Sequence, residues 1–371
     1  MEKHHKYRII IGGGGTGGHV FPAISIAHAL TEQNRKTEIL FVGARNRLEM
    51  EKVPEAGYEI IGLPVAGFQR RLTWKNLLFF VRLIRSMIES RRIIRRFAPD
   101  AVVGVGGYAS GPILRAAARK GIPVLIQEQN SYAGVTNRIL ARSARRICVA
   151  YEGMENYFPS EKLILTGNPV RKDLIAKPGK RESNMAHFGL QPDKKTIMIL
   201  GGSQGARTIN ESVVGYLDRL SNSEVQLLWQ AGKLYYESIR EQVERGVAAN
   251  IKVVPFIREM NRAYQVADVI VSRAGAGTLS ELCIVGKPVV LVPSPNVAED
   301  HQTRNARSLT DADAALMVPD REARDTLMET VLALVRDGEK CSRLAANIKK
   351  FALPDAAANI AREVFQMIEK S

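Results

Sequence analysis

The chain has 371 residues, of which 45% are hydrophobic and 25% are charged, and its formal net charge is +15 at pH 7. This length exceeds what one hydrophobic core usually supports, so we expect two domains of about 150–200 residues each. The composition excludes a collagen-like or low-complexity chain, and three widely spaced cysteines (Cys148, Cys283 and Cys341) indicate buried thiols, not disulfides or a metal site.

Apolar runs alternate with helical patterns along the whole chain, which is typical of parallel sheets. In the first half the predicted strands are 7–11, 38–42, 59–63, 101–105, 123–126 and 147–150. In the second half they are 196–200, 225–229, 251–254, 268–272, 289–292 and 315–318. A polar stretch at 172–181 is the best linker, and Pro354 precedes a last helix. The sequence predicts an α/β fold of two doubly wound, Rossmann-like lobes facing across a cleft, with the divisions 1–169, 170–353 and 354–371.

The first predicted strand is followed by a glycine turn, 12–18, and then by His19 at the start of a helix. Only glycine lets the main chain come close to an anion, and a helix N-terminus favours negative charge, so this turn predicts a phosphate site. The same position favours the neutral form of His19, which suits a general base; a structural or capping histidine is the alternative. The turn also matches the dinucleotide fingerprint, but the second strand leads into Arg45 instead of an acid, which leaves an NADP enzyme as an alternative.

The stretch 70–96 carries nine lysines and arginines against a single acid, Glu89. At helical spacing its apolar side chains share one face and its arginines another. A basic amphipathic segment with aromatic residues is typical of the surface of an anionic membrane, and no apolar run approaches the roughly 20 residues that a membrane span needs. A core helix with a solvated basic face is the alternative. The residues predicted to meet the membrane are Trp74, Phe79, Phe80, Arg82, Leu83 and Arg85.

Three further turns offer main-chain donors. One, at 104–111, lies in the first lobe; the others, at 201–207 and 272–281, lie in the second. The helix that begins within 272–281 can receive a diphosphate at its N-terminus without a metal. Glu281, one turn into that helix, can hold a pair of ribose hydroxyls; a surface glutamate that complements the helix dipole is the alternative.

No metal or nucleophile motif stands out in the sequence. The Asp-Ala-Asp at 311–313 does not follow a strand and indicates a solvated turn, and the six histidines show no metal-ligand spacing. We therefore expect neither a metal nor an organic cofactor. The charge of a leaving diphosphate would be stabilised by helix N-termini and by Arg171 at the junction of the lobes.

Seven motifs occur in order: Gly-Gly-Thr-Gly-Gly-His (14–19), Gly-Gly-Tyr-x-Ser-Gly-Pro (106–112), Glu-Gln-Asn (128–130), Gly-Asn-Pro-Val-Arg (167–171), Gly-Gly-Ser-Gln-Gly-Ala-Arg (201–207), Arg-Ala-Gly-Ala-Gly-Thr-Leu-Ser-Glu (273–281) and Asp-His-Gln-Thr-Arg-Asn-Ala (300–306). Together they resemble the MurG family of peripheral membrane glycosyltransferases of peptidoglycan synthesis. The resemblance implies a GT-B fold and inverting transfer of N-acetylglucosamine from UDP-GlcNAc. The acceptor would be the C4 hydroxyl of the muramoyl sugar of lipid I, and the products lipid II and UDP.

The resemblance also implies roles for individual residues. Those that would contact UDP-GlcNAc are Thr16, Gly17, Gly18, Asn130, Arg171, Ser203, Ile257, Thr278, Glu281, Gln302 and Asn305. Those that would contact the acceptor are Gly14, Gly15, Gly106, Gly107 and Tyr108. His19 would be the base, with Glu128, in the loop after the strand 123–126, as its competitor. Gln127 is a departure, because many members have His there, and it weakens a scheme that needs a second histidine.

The partners implied are UDP-GlcNAc, lipid I and the anionic surface of the bacterial inner membrane at its cytoplasmic face. The alternatives are another GT-B enzyme with a lipid acceptor, such as a diacylglycerol glycosyltransferase, and a UDP-GlcNAc 2-epimerase. The motifs at 106–108 and 128–130 favour the MurG family over both. Nucleic-acid binding would need stacking aromatics along a basic stripe, whereas aromatics are only 6% of this chain.

Overall fold

The computed structural model describes residues 6–65, 75–174, 179–202, 204–246, 248–297 and 300–370, and for 75–80 and 173 it describes the backbone alone. The chain divides into two compact units. The first comprises Met1–Val170 together with Leu353–Ser371, and the second comprises Arg171–Ala352. Each division lies one residue from the position expected from the sequence.

Parallel strands form two sheets. The strands of the first unit are β1 (Arg8–Gly12), β2 (Glu38–Ala44), β3 (Glu59–Leu63), β4 (Ala101–Gly104), β5 (Val124–Glu128), β6 (Arg146–Val149) and β7 (Leu163–Leu165). Those of the second unit are β8 (Lys195–Leu200), β9 (Val225–Gln230), β10 (Ile251–Val254), β11 (Val269–Ser272), β12 (Val289–Leu291) and β13 (Leu316–Met317).

Helices connect these strands and continue beyond the last of them. In chain order they are α1 (Gly17–Gln33), α2 (Glu49–Glu55), α3 (Lys75–Phe97), α4 (Ser110–Ala118), α5 (Val135–Leu140), α6 (Arg181–His187), α7 (Arg207–Val214), α8 (Leu217–Ser221), α9 (Tyr236–Arg245), α10 (Met260–Val266), α11 (Ala276–Val285), α12 (His301–Thr310), α13 (Ala323–Arg336), α14 (Gly338–Lys349) and α15 (Ala356–Glu369).

The strand orders confirm the prediction of two doubly wound sheets. The first is β3-β2-β1-β4-β5-β6-β7 and the second is β10-β9-β8-β11-β12-β13. In each sheet the winding direction reverses beside the first strand, and at such a point the connections leave on opposite faces and open a crevice at the carboxyl ends of the strands. The sequence analysis does not predict β7, because this edge strand has three residues and is only partly buried.

Alternating side chains of the strands fill a core on each face of a sheet. Ile9 and Ile11 on β1 pack on one face with Val364 of α15, whereas Ile10 packs on the opposite face with Ile113 of α4. All five side chains are fully buried. A strand buried on both faces has apolar residues at successive positions, which is the pattern that predicted it. The C-terminal helix is therefore part of the core of the first unit.

Two glycine turns at the carboxyl edge of the first sheet touch each other. The amide of Gly13 donates to the carbonyl of Val42 at 3.0 Å, and the amide of Gly14 donates to the carbonyl of Gly106 at 3.3 Å. Gly107 has φ +82°, and a Cβ at this position would lie 2.2 Å from the carbonyl oxygen of Gly14. The turn after β1 and the turn after β4 can approach this closely only because both are made of glycine.

A buried carboxylate holds the first turn from the other side. Glu49, at the start of α2, is 1% exposed. Its Oε1 accepts from the amide of Ala44 and its Oε2 from the amide of Gly15, both at 2.8 Å. The amides of Gly14 and Gly15 are thus already engaged within the protein. These two glycines shape the turn, and the amides that follow them stand at the start of α1.

We predict that Glu49→Gln will destabilise the first unit, since the amide nitrogen that replaces one carboxylate oxygen cannot accept from a main-chain N–H. Hydrogen bonds to a charged group contribute about 1.5–3 kcal/mol. Hydrogen exchange of the β1 and β2 amides should show a loss of about this size in the free energy of opening. Glu51→Gln, on the exposed side of the same helix, is the control and should leave exchange unchanged. Equal exchange in both variants would contradict the role of Glu49.

Candidate active site

The N-terminus of α1 presents main-chain donors at the carboxyl edge of the first sheet. The carbonyl of Thr16 accepts from the amides of His19 and Val20, both at 3.1 Å, which closes the first turn of this 17-residue helix. The amides of Gly17 and Gly18 belong to that first turn, where an α-helix has no preceding carbonyl for them. With the helix dipole they form a site that suits a phosphate or carboxylate.

His19 is partly buried beside this site. Its Nδ1 lies 3.1 Å from Oε1 of Gln129, the residue that follows β5. Burial lowers the pKa of His19 below its ordinary value, while the carboxylate of Glu128 opposes this shift. The imidazole is therefore neutral at pH 7, the state that a general base requires.

Glu128 has a different position from the one expected. It is the last residue of β5 and not part of the loop after it, and it is 1% exposed. Its Oε1 accepts from the amide of Asn130 at 3.1 Å. Its Oε2 accepts from the amide of Gly134 at 3.0 Å and from Nδ2 of Asn137 at 2.9 Å. These bonds fix the loop between β5 and α5, and they engage both oxygens of the Glu128 carboxylate within the protein.

The turn after β4 places an aromatic ring at the surface. Tyr108 is 58% exposed and follows the glycine pair that contacts the first turn. Ser110, the first residue of α4, donates from Oγ to the carbonyl of Gly107 at 2.8 Å and so closes the turn. The residues predicted from this motif thus lie directly beside the first turn.

In the second unit, α11 begins after Gly275 and carries Thr278 in its first turn. Glu281 lies in the following turn, where its Oε2 accepts from the hydroxyl of Tyr264 at 3.1 Å. Its Oε1 is 3.7 Å from Nε of Arg171. The structure thus brings together two residues to which the sequence analysis gives separate roles, and the arginine helps to orient the carboxylate.

Two other predicted residues make hydrogen bonds that hold the main chain near the ends of strands. The amide of Ile257 donates to Oε1 of Gln230, the last residue of β9, at 2.9 Å. Gln302 accepts with its Oε1 from the amides of Ala274 at 3.2 Å and Ser294 at 2.8 Å. The sequence analysis missed Gln230, because a glutamine that ends a strand carries no local signal of the loop amide it meets.

The remaining predicted residues are either buried, as Asn305 is, or outside the described part of the chain. Asn305 lies in α12 and is 1% exposed, so only a small part of it can face a ligand. Ser203 and Trp74, and the side chains of Phe79 and Phe80, lie outside the described residues.

The described side chains of α3 turn apolar groups to solvent. Those exposed by 37–61% are Val81, Leu83, Ile84 and Ile88, and Arg82 and Arg85 beside them are exposed as well. The face that packs inward instead carries Ser86, Ser90, Ile93 and Ile94, all buried. Residues 81–88 thus carry exposed apolar side chains beside exposed arginines, apart from buried Ser86, whereas Ile93 and Ile94 pack in the core as the alternative of a core helix expects.

Two features are absent from the described part of the chain. No group of three or more His, Cys, Asp or Glu residues within it is arranged to hold a metal ion. No helix within it combines the length and the apolar character that crossing a membrane requires. The Asp-Ala-Asp at 311–313 is an exposed turn that follows α12, as predicted.

Comparison with known proteins gives strong matches over nearly the whole chain. Residues 9–149 match the glycosyltransferase family 28 N-terminal domain, and residues 196–360 match the C-terminal domain of that family. The UDP-N-acetylglucosamine--N-acetylmuramyl-(pentapeptide) pyrophosphoryl-undecaprenol N-acetylglucosamine transferase of Bacteroides fragilis is 54% identical over 98% of this chain and 96% of its own. The enzyme of the same name from Cytophaga hutchinsonii is 51% identical over 99% of both chains.

Among solved structures, MurG of Acinetobacter baumannii superposes with a TM-score of 0.79 and 29% identity, covering 97% of this chain and 99% of that one. A UDP-GlcNAc 2-epimerase from Neisseria meningitidis has a TM-score of 0.68 at 15% identity over 98% of this chain and 100% of its own, which shows a shared fold alone. The resemblance stated from the motifs is thus confirmed: the chain belongs to glycosyltransferase family 28, with the MurG enzymes, and is a glycosyltransferase of GT-B fold.

Proposed function

We propose that this enzyme transfers N-acetylglucosamine from UDP-GlcNAc to the C4 hydroxyl of the muramoyl sugar of undecaprenyl-pyrophosphoryl-MurNAc-pentapeptide, giving lipid II and UDP with inversion. The observation that carries the proposal is 54% identity over 98% of the chain to transferases named for this reaction. The site supports it, because each unit offers a helix N-terminus that suits a phosphate, at α1 and at α11.

In this proposal the first unit takes the acceptor and the second takes the donor. Acceptor diphosphate would meet the glycine turn at 12–18, whose Gly17 and Gly18 the resemblance also assigns to UDP-GlcNAc. Neutral His19 beside them would remove the proton from the acceptor hydroxyl as C1 of the donor is attacked. UDP diphosphate would meet the start of α11 near Thr278, with Glu281 on the ribose hydroxyls. Arg171, close to Glu281, would add positive charge for the leaving group.

An assay with labelled UDP-GlcNAc tests the reaction. We expect transfer of label to lipid I, and none to diacylglycerol or in the absence of an acceptor. Transfer to diacylglycerol would favour the other lipid glycosyltransferase, and formation of the 2-epimer without an acceptor would favour the epimerase. Either result would overturn the proposal.

Glu281→Ala should weaken UDP binding, since a carboxylate bonded to ribose hydroxyls contributes about 1.5–3 kcal/mol, or roughly 10- to 100-fold in the dissociation constant. Isothermal titration calorimetry measures the effect. Tyr264→Phe is the matched control: it removes one hydrogen bond to the carboxylate and keeps the charge, so UDP affinity should change only slightly. Unchanged UDP affinity in Glu281→Ala would remove this residue from the donor site.

His19→Ala should lower kcat by at least 10²-fold and leave UDP-GlcNAc affinity nearly unchanged, because general base catalysis typically contributes about 10²–10⁴-fold. A base works when it is unprotonated, so the wild-type rate falls as the pH drops through the pKa of His19. Burial lowers that pKa, so the acid limb should lie below the usual range of histidine and should flatten in the variant.

Glu128→Gln separates the two candidate bases. If Glu128 only positions its loop, this variant keeps an acid limb, although the loop amides that it binds are disturbed. If kcat holds in His19→Ala while the acceptor KM rises, and Glu128→Gln loses the acid limb, then Glu128 is the base and His19 a binding residue.

For the membrane, we propose that the exposed apolar and basic side chains of α3 bring the first unit to the anionic cytoplasmic face of the inner membrane, where the lipid acceptor lies. Leu83→Ser and Ile84→Ser combined with Arg82→Glu and Arg85→Glu should abolish sedimentation with anionic vesicles. Each basic residue near such a surface contributes on the order of 1 kcal/mol, and the exposed apolar groups add burial energy.

UDP binding and the thermal melting curve should both be intact in this variant, which shows that the second unit and the altered first unit are folded. A matched control in the second unit combines Leu234→Ser with Arg219→Glu and Arg245→Glu, all at exposed positions. The control carries the same change in charge and should still sediment. Equal sedimentation of the α3 variant and the wild type would contradict the membrane role of α3.

A further inference from the structure

We propose that Gln129 is a positioning residue that, held in one orientation by Gln127 and Asn168, fixes the proton of His19 on Nδ1 and leaves Nε2 to accept. This inference rests on the proposed role of His19 as the base. It concerns a separate question, namely which of the two ring nitrogens of His19 is available to the acceptor hydroxyl.

The orientation of the Gln129 side chain follows from a main-chain acceptor. Its Nε2 lies 2.8 Å from the carbonyl oxygen of Val105, and a carbonyl can only accept. The amide nitrogen of Gln129 therefore faces Val105, and its Oε1 faces His19. Since Oε1 is an acceptor 3.1 Å from Nδ1, the proton of a neutral imidazole lies on Nδ1.

Two further amides hold Gln129 in this orientation. Its Nε2 also donates to Oε1 of Gln127. The Nε2 of Gln127 in turn donates to Oδ1 of Asn168 at 3.0 Å, and Nδ2 of Asn168 donates to the main-chain carbonyl of Gln129 at 2.9 Å. All three side chains are at most 2% exposed.

This chain of amides has one consistent direction, because it is anchored at two carbonyl groups, those of Val105 and Gln129. Reversing any one amide would set a donor against a donor and an acceptor against an acceptor in a buried place, which is costly. The two main-chain carbonyls thus set the orientation of each amide, and through Gln129 they set which nitrogen of His19 carries the proton. Nε2 of His19 is left with the lone pair.

An amide and a carboxylate would act differently at this place. Burial lowers the pKa of His19, whereas the carboxylate of Glu128, the hydrogen bond to Gln129, the carbonyl of Val105 and the carboxylate of Glu49 all favour the protonated ring. A third carboxylate, hydrogen-bonded to Nδ1, would stabilise the imidazolium. A neutral amide selects the tautomer without adding a negative charge, so burial still holds the pKa of His19 below its ordinary value and the ring can accept.

The position of Gln127 fits this role. Many members of the family have His at this position. A neutral imidazole, like a glutamine amide, offers one donor and one acceptor, and either can link Gln129 to Asn168. The departure noted in the sequence thus preserves the hydrogen-bonding pattern, and a second histidine is not needed.

The test is ¹⁵N spectroscopy of the full-length protein labelled at histidine, with the His19 signals identified by their loss in His19→Asn. Above the pKa of His19, the wild type should show Nδ1 protonated and Nε2 unprotonated. In Gln129→Met, which has a similar volume and no amide, the signals should move toward a mixture of tautomers. In an assay with lipid I, kcat should fall about three- to tenfold, the size of one net hydrogen bond, with UDP-GlcNAc affinity unchanged.

Gln129→Glu tests charge at the same position, because it replaces the neutral amide by a carboxylate. The carboxylate should raise the pKa of His19, so the midpoint of the ¹⁵N titration and the acid limb of the pH–rate profile should both move to higher pH. A residue that merely supports the fold would not shift this limb. Gln226→Met is the control: it removes a buried glutamine of the second unit, hydrogen-bonded to Gln191 and Thr196, and should leave the His19 spectrum unchanged.

The proposal is overturned if wild-type His19 carries its proton on Nε2, or if Gln129→Met lowers the melting temperature and leaves the tautomer unchanged. The spectrum and the rate separate this proposal from the function it rests on. If the tautomer responds as expected and kcat does not, the positioning by Gln129 stands and the role of His19 as base fails.

Discussion

The close approach of two main-chain turns at the carboxyl edge of the first sheet governs the arrangement of this half of the site. The amide of Gly14 reaches the carbonyl of Gly106, and a Cβ on Gly107 would lie 2.2 Å from the carbonyl oxygen of Gly14. A Cβ on Gly106 would lie 2.9 Å from Cε1 of His19, so the imidazole packs directly on the second turn. Because both turns are fixed by parallel strands β1 and β4, the histidine and its surroundings inherit the rigidity of the sheet.

The two sheets are alike in where a helix N-terminus lies, and they differ in what the polar side chains around it contact. Both place a helix N-terminus beside the point where the strand order reverses, which follows from the doubly wound topology. In the first unit polar side chains hold main-chain amides, as Glu49 and Glu128 do, and Gln129 in addition contacts the ring of His19. In the second they act on the main chain, as when Gln302 binds the amides of Ala274 and Ser294. Loops that are held by buried side chains lose little entropy when a ligand binds, which favours a preformed donor site.

The sequence was sufficient for the features that have a local pattern. Apolar runs predicted twelve of the thirteen strands in the described part of the chain, and glycine turns after them predicted where α1, α4 and α11 begin. The motifs, through their resemblance to a family, named the residues of the candidate site. The exception among the strands, β7, is an edge strand with a short run and part of its surface exposed.

What the sequence could not supply was the set of partners that hold those residues. Glu49 binds the amide of Gly15 across 34 positions of the chain, and Gln129 meets His19 across 110. Such contacts follow from the order of the strands and leave no periodicity or spacing to detect. Glu128 shows the same limit: its carboxylate looked available from its place after an apolar run, and its hydrogen bonds to the next loop become visible only in the fold.

The outer surface of α3 follows from how its inner face packs. Ser86 and Ser90 are fully buried, and their small side chains let the helix lie close to α4 without large apolar residues at these positions. The isoleucines and leucine of residues 81–88 are thus not needed for the core of the first unit, and they stay exposed among arginines at some cost to solubility. A stable fold alone gives no reason for that arrangement. The anionic lipid surface proposed as the partner of α3 would give one, since it would stabilise the exposed apolar groups and the positive charges together.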